Sequence, residues 1–86
     1  MNQKITVKTE DGKLVFCILS GSESIEDQLN VIYFGTANPK HGTCVQYDGS
    51  RIALVDYYHA DTIAKLQVIR IEDTDHTPML QWIDAE

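Results

Sequence analysis

The chain has 86 residues, of which 43% are hydrophobic and 23% charged, and its formal net charge at pH 7 is −6. The apolar fraction is too high for a disordered chain, and no run approaches the roughly 20 apolar residues of a membrane-spanning helix. Because the first residues lack the long apolar stretch of a secretory signal, we expect a cytoplasmic location and no membrane partner. The length predicts a single domain over residues 1–86.

The first predicted elements are two strands that form a hairpin over residues 3–19. Ile5 and Val7 alternate with polar residues, which is the period of a strand with one solvated face. The Asp-Gly pair that follows is a turn signal, since glycine tolerates positive φ at little cost. Residues 14–19 are apolar at both odd and even positions, which predicts a strand that is covered on both faces or central in a small barrel.

A helix start is predicted after this hairpin. Ser24 begins a sequence that resembles a capping box, and the acidic residues around it suit the positive end of a helix. The apolar residues from 25 to 32 keep a helical spacing, but residues 31–34 are β-branched and aromatic, which favours a pleated surface. We therefore predict a helix over roughly residues 23–29 and a strand over roughly residues 30–35.

The second half of the chain predicts further strands. An Asp-Gly pair between two β-rich runs indicates a hairpin over residues 43–58. Another strand is predicted over residues 63–72, with a helical turn over residues 60–66 as its alternative, and a last strand over residues 79–83. Together these elements indicate a mainly β fold, either a small antiparallel barrel or a two-layer sandwich of six or seven short strands with at most one short helix. The alternative is α+β, with one helix on an antiparallel sheet.

Catalysis and metal binding find little support in the sequence. Cys17 lies within an apolar strand and Cys44 follows a turn, so we expect reduced thiols, although a bridge between them stays open. His41 and Cys44 form half of a zinc motif without a second half, and no phosphate-binding, dinucleotide-binding or nucleophile-elbow motif occurs. We predict no cofactor, no metal and no enzymatic activity. A small enzyme or metal protein that uses His41, Cys44 and His59 is the least favoured alternative.

The uneven distribution of acidic residues is the most informative feature. Residues 72–86 contain no Lys or Arg, and a second acidic group follows the first hairpin. The plain interpretation is a surface that maintains solubility. The sharper one is an anionic face that docks on a cationic partner, because arginine receives carboxylates bidentately. The candidate residues are Glu72, Asp73, Asp75, Asp84 and Glu86, with Glu23, Glu26 and Asp27.

Aromatic residues are the candidate anchors of such a contact, because buried aromatics dominate interface hot spots. The candidates are Tyr57, Tyr58 and Trp82, and for Trp82 core packing is the stronger interpretation. The basic residues near the N-terminus, Lys4, Lys8 and Lys13, indicate a solvated edge strand protected against aggregation. Since the net charge of the chain is −6, direct nucleic-acid binding is not expected.

We predict a non-catalytic protein-binding module, a small acidic regulator or inhibitor that docks on a basic partner protein. A partner that handles nucleic acid would suit this charge, and the chain itself would then resemble an accessory protein of a phage or mobile element. The alternative is a structural or assembly subunit that self-associates through an exposed strand edge, for example as a homodimer.

Overall fold

A computed structural model describes residues 1–34, 42–56, 58–59 and 61–85 of the chain. For these residues the expected mainly β fold, with six antiparallel strands and a single short helix, is confirmed. No helix among them is long and apolar enough to cross a bilayer. In chain order the elements are β1 (Asn2–Lys8), β2 (Leu14–Leu19), α1 (Ile25–Phe34), β3 (Thr43–Tyr47), β4 (Arg51–Asp56), β5 (Asp61–Thr74) and β6 (Met79–Asp84).

The six strands form one antiparallel sheet in the order β3-β4-β5-β1-β2-β6. Both predicted hairpins are present, as β1–β2 and β3–β4. β5 has 14 residues and joins the two halves of the sheet, because its first part pairs with β4 and its last part with β1. At Gln67 it pairs with both, so the two halves are offset along β5. One helix on an antiparallel sheet is the arrangement considered above as α+β.

The sheet curls around α1. The helix contacts β3 and β6, which are the two opposite edges of the sheet. Both edges reach one short helix only because the sheet is strongly curved. The core lies between the helix and the enclosed face, and its side chains are at most 7% exposed: Ile5, Val7, Val15, Cys17, Leu19, Leu29, Val45 and Ile52. The other face of the sheet has no helix on it among the described residues.

The predicted strand over residues 30–35 is wrong, because α1 continues to Phe34. The helical spacing in this segment places four apolar side chains against the core. That burial outweighs the strand preference of β-branched and aromatic residues, which spans only about 1 kcal/mol. The four side chains are Ile25, Leu29, Ile32 and Tyr33. The other predicted strands are present, and β5 begins as a strand at Asp61 rather than after a helical turn. The expectation that Lys4 and Lys8 mark an edge strand is wrong, because β1 pairs with β2 on one side and with β5 on the other.

Local signals place the helix start and one turn where the sequence predicts them. The backbone N–H of Asp27 donates to Ser24 Oγ at 3.4 Å, so Ser24 caps α1. In the β3–β4 turn the Asp48 carboxylate accepts from the backbone N–H groups of Ser50 and Arg51, at 2.9 and 2.8 Å. These bonds hold the pKa of Asp48 below its usual value. Gly49 in the same turn has a φ of 93°, which favours glycine.

Replacing Leu29 by Ala tests whether α1 carries the core. Leu29 is fully buried, so we expect the Leu29→Ala variant to lose about 2–5 kcal/mol of unfolding free energy, measured by urea denaturation. Val31→Ala is the control, since Val31 is only half-buried on the same helix and should cost less than about 1 kcal/mol. Equal losses in both variants would contradict this packing.

The two cysteines, both free thiols, should differ in reactivity. Burial raises the pKa of the Cys17 thiol to about 12, whereas Cys44 is half-buried. We expect iodoacetamide at pH 8 to modify Cys44 in the folded protein and Cys17 only after denaturation, as read by peptide mass spectrometry. Modification of both thiols at one rate would contradict the assignment.

Because Cys17 ionises near pH 9 only when unfolded, the free energy of unfolding should also fall from pH 9 towards pH 12.

Candidate functional site

Two loops leave the sheet side by side at one of its ends. β1 starts at this end, while β2 and β5 finish there, as the pairings Gln3–Leu19 and Asn2–Thr74 show. The β2–α1 loop and the β5–β6 loop are therefore neighbours in space although they are about 50 residues apart in sequence. Each loop carries acidic residues from one of the two groups identified in the sequence.

Asn2 joins the two loops directly. Its Nδ2 donates to the carbonyl oxygen of His76 at 2.8 Å, and its Oδ1 accepts from the backbone N–H of Gly21 at 3.4 Å. The chain passes so close here that a Cβ on Gly21 would lie 2.0 Å from the carbonyl oxygen of Met1. Glycine is thus required at position 21, and the start of β1 fixes the position of both loops.

Gln28 fixes the β2–α1 loop to the helix. This side chain is only 3% exposed. Its Oε1 accepts from the backbone N–H of Ser20 at 2.6 Å, and its Nε2 donates to the carbonyl oxygens of Ser20 at 2.9 Å and Glu23 at 3.4 Å. Sequence reasoning missed this residue, although a glutamine beside the apolar stripe of a helix, four residues after its cap, is a detectable signal.

Five carboxylates lie on this framework and define what we call the acidic end: Glu23, Glu26, Asp27, Asp73 and Asp75. Two belong to the first turn of α1, one to each loop, and one to the end of β5. All five residues are exposed. Within the described part of the chain the ion pairs are Lys13–Asp84 and Arg70–Glu72, so none of these five side chains is paired.

The other acidic candidates lie elsewhere. Asp84 ends β6 at the opposite end of the sheet, where its carboxylate lies 2.9 Å from Lys13 Nζ. Glu72 lies near the acidic end, but on the face without a helix, and its carboxylate is 3.2 Å from Arg70 Nε. Glu86 falls outside the described residues. The structure thus places five of the eight candidate carboxylates at one end of the sheet.

The two aromatic candidates that the structure describes, Trp82 and Tyr58, do not adjoin the acidic end. The ring of Trp82 is 6.0 Å from that of Tyr33 at an interplanar angle of 54°, and both pack against the core. Burial also raises the pKa of Tyr33. Tyr58 is 64% exposed but follows β4, at the far end of the sheet. Tyr57 lies outside the described residues. The interpretation of Trp82 as a core residue therefore matches its position.

A second charged surface escaped sequence reasoning. Residues that pair across antiparallel strands share a face, and the register places five cations on the face without a helix. We call this the basic face: Lys4, Lys8, Arg51, Lys65 and Arg70, five of the seven Lys and Arg residues of the chain. Glu72 is the one acidic residue that the register places among them in the described strands.

A cleft of about 930 Å³ lies beside the β1–β2 turn. Three of these cations line it, Lys8, Arg51 and Lys65, together with two acidic residues of the turn, Glu10 and Asp11. β1 ends here, so the first part of β5 has no strand partner on this side in the described chain. The backbone N–H of Lys65 on this side donates to Glu10 Oε1 at 3.0 Å instead of to a neighbouring strand. These cations are far apart in the sequence. Only the alternate positions of Lys4 and Lys8 in β1 indicate, from neighbouring residues, that cations share one face of the sheet.

The described residues contain no group of three or more His, Cys, Asp or Glu side chains placed to hold a metal ion. His41 lies outside them, so the H-x-x-C pair is not described. No protein-family model, no curated protein and no solved structure matches the chain.

Replacing Asn2 tests whether one side chain joins the two loops. We expect Asn2→Ala to lower the free energy of unfolding by about 1–2 kcal/mol, because two loop hydrogen bonds are lost, and to speed amide exchange at Gly21. Asn2→Asp is the matched control, since it keeps the acceptor for Gly21 but loses the donor to His76. Unchanged exchange at Gly21 in the alanine variant would contradict the assignment.

Proposed function

We propose that the protein is a non-catalytic binding module whose acidic end docks on a basic surface of a partner protein. One observation carries the proposal: the unpaired carboxylates of two sequence-distant segments converge on one end of the sheet, where Asn2 and Gln28 hold both loops in place. Arginine and lysine on a partner are the chemical groups that match such a surface.

The arrangement lowers the cost of binding in two ways. The loops are already tied to β1 and α1, so little backbone order has to be gained on association. The carboxylates have no intramolecular ion pair in the described structure, so none has to be broken before a partner's cation is received. Docking of this kind is fast at low salt and weakens as salt screens the charges.

A regulatory or inhibitory role follows from the chemistry of the surface. Basic clefts on proteins bind phosphates, and carboxylates at comparable spacing compete for the same guanidinium groups. A small, rigid, acidic domain seated in such a cleft excludes the phosphate ligand. For this reason we propose a partner that handles nucleic acid.

Neutralising the acidic end should weaken capture of the partner selectively. We expect Asp73→Asn with Asp75→Asn to lower affinity by about 5–30-fold, since each exposed charge pair is worth about 0.5–1 kcal/mol. Capture from host lysate is compared by quantitative mass spectrometry, and affinity is then measured by calorimetry on the partner identified. Glu26 and Asp27 stay unchanged, because they also stabilise the first turn of α1.

The matched control is Asp84→Asn with Glu72→Gln. It removes the same charge from carboxylates that already have a partner in the chain, so the same protein should be captured at close to full yield. A partner lost equally from both variants would show that net charge, rather than the acidic end, governs capture. Full retention by both variants would also refute the proposal.

A further inference from the structure

The basic face adjoins an apolar strip on the same side of the sheet. The register pairs Phe16 with Ile83 and with Thr6, and Ile18 with Met79 and with Lys4, so cations and apolar side chains share this face. Phe16, Met79 and Ile83 stay half-buried there. Arg70 is paired with Glu72, whereas the other four cations of the basic face form no ion pair among the described residues. A sheet face that mixes apolar side chains with such cations is typical of a surface that a partner covers.

Thr6 occupies the middle of this face. It is 1% exposed, and its Oγ1 has no hydrogen-bond partner among the described residues. Its cross-strand neighbours are Phe16 and Arg70. Because Thr6 is buried, a partner on this face meets the side chains around it, Phe16 and Arg70, rather than its hydroxyl.

The charges restrict what the partner is. Two copies stacked face to face would set the basic face against itself, which like-charge repulsion opposes. Single-stranded nucleic acid needs a free aromatic ring on which bases stack. The ring of Phe16 is instead covered by the ammonium group of Lys4, whose Nζ lies 4.5 Å from the ring centroid. These observations favour protein carboxylates over bases.

The chain itself carries a surface with the required charge. The acidic end lies at the end of the sheet where β1 begins, whereas the cleft lined by Lys8, Arg51 and Lys65 lies where β1 ends. We propose that the basic face of one copy, at this cleft, receives the acidic end of a second copy. The two surfaces are distinct, so the contact is heterologous, and repeated contacts generate linear or ring-shaped oligomers.

This association goes beyond the proposed function and uses a surface which that function does not need. Both depend on the acidic end, so a basic partner and a second copy compete for it. The oligomer then acts as a store in which the docking surface is covered until a partner takes it. Variants of the basic face separate the two ideas, because they abolish self-association and leave capture of a basic partner intact.

The experiment uses two charge-reversed variants and sedimentation velocity. The face variant is Lys8→Glu with Lys65→Glu. The end variant is Glu23→Lys with Asp73→Lys and Asp75→Lys, so that three cations outnumber the two carboxylates that remain at the acidic end. For the natural chain we expect the weight-average mass to rise with concentration at about 0.01 M salt, and to return to that of one chain at about 1 M salt, where the Debye length is about 3 Å. Circular dichroism verifies that both variants fold.

Each variant alone should stay monomeric at low salt, because its end and its face then carry the same sign. An equimolar mixture should associate again, since the reversed end fits the reversed face and the natural end fits the natural face. A monomeric natural chain at low salt, or a mixture that stays monomeric, overturns the proposal. Association that persists at high salt overturns it in favour of strand-edge pairing. Binding of oligothymidylate to the natural chain, lost in the face variant and without self-association, overturns it in favour of a polyanion.

Discussion

The contact of α1 with both edges of the sheet is the constraint on which the rest of the structure depends. A short helix buries one apolar stripe, and a single sheet of six strands covers that stripe by curling around it. Leu29, fully buried, lies in the middle of this contact. Because the sheet is curved, its enclosed face is buried in the core. The outer face and both ends of the sheet are not covered by the helix. Every charged surface described above lies on one of those remaining parts.

The net charge of −6 conceals two surfaces of opposite sign. The molecule extends over 39 × 28 × 20 Å, whereas the Debye length at physiological salt is about 8 Å. Charges at opposite ends of the sheet therefore act nearly independently on anything that approaches them. Lys8 and Lys65 attract a carboxylate locally even though the whole chain repels it at long range. For this reason net charge describes the solubility of the chain better than it describes what the chain binds.

Features that arise within a few residues were predictable from the sequence. Ser24 caps α1, Gly49 turns a hairpin, and Cys17 is buried in a strand, each from local chemistry. The length of α1 was not, because burial against strands far along the chain outweighed the local strand preference. The basic face was not predictable for a related reason. Lys8 and Arg51 become neighbours only because both pair with β5, and this register cannot be predicted from a short segment of sequence. Asn2 likewise gains its role from two loops that fold beside it.

The segregation of charge itself points to a binding role. A surface that served only solubility would intersperse acidic and basic side chains, since each then shields its neighbours. Here Glu23, Asp73 and Asp75 lie at one end of the sheet and form no ion pair among the described residues, although like charges placed together repel. The buried amide of Gln28 and the hydrogen bonds of Asn2 hold this unfavourable arrangement in place. A cationic partner at this end, as proposed above, would offset the like charges, whereas solubility alone does not require the acidic residues to lie together.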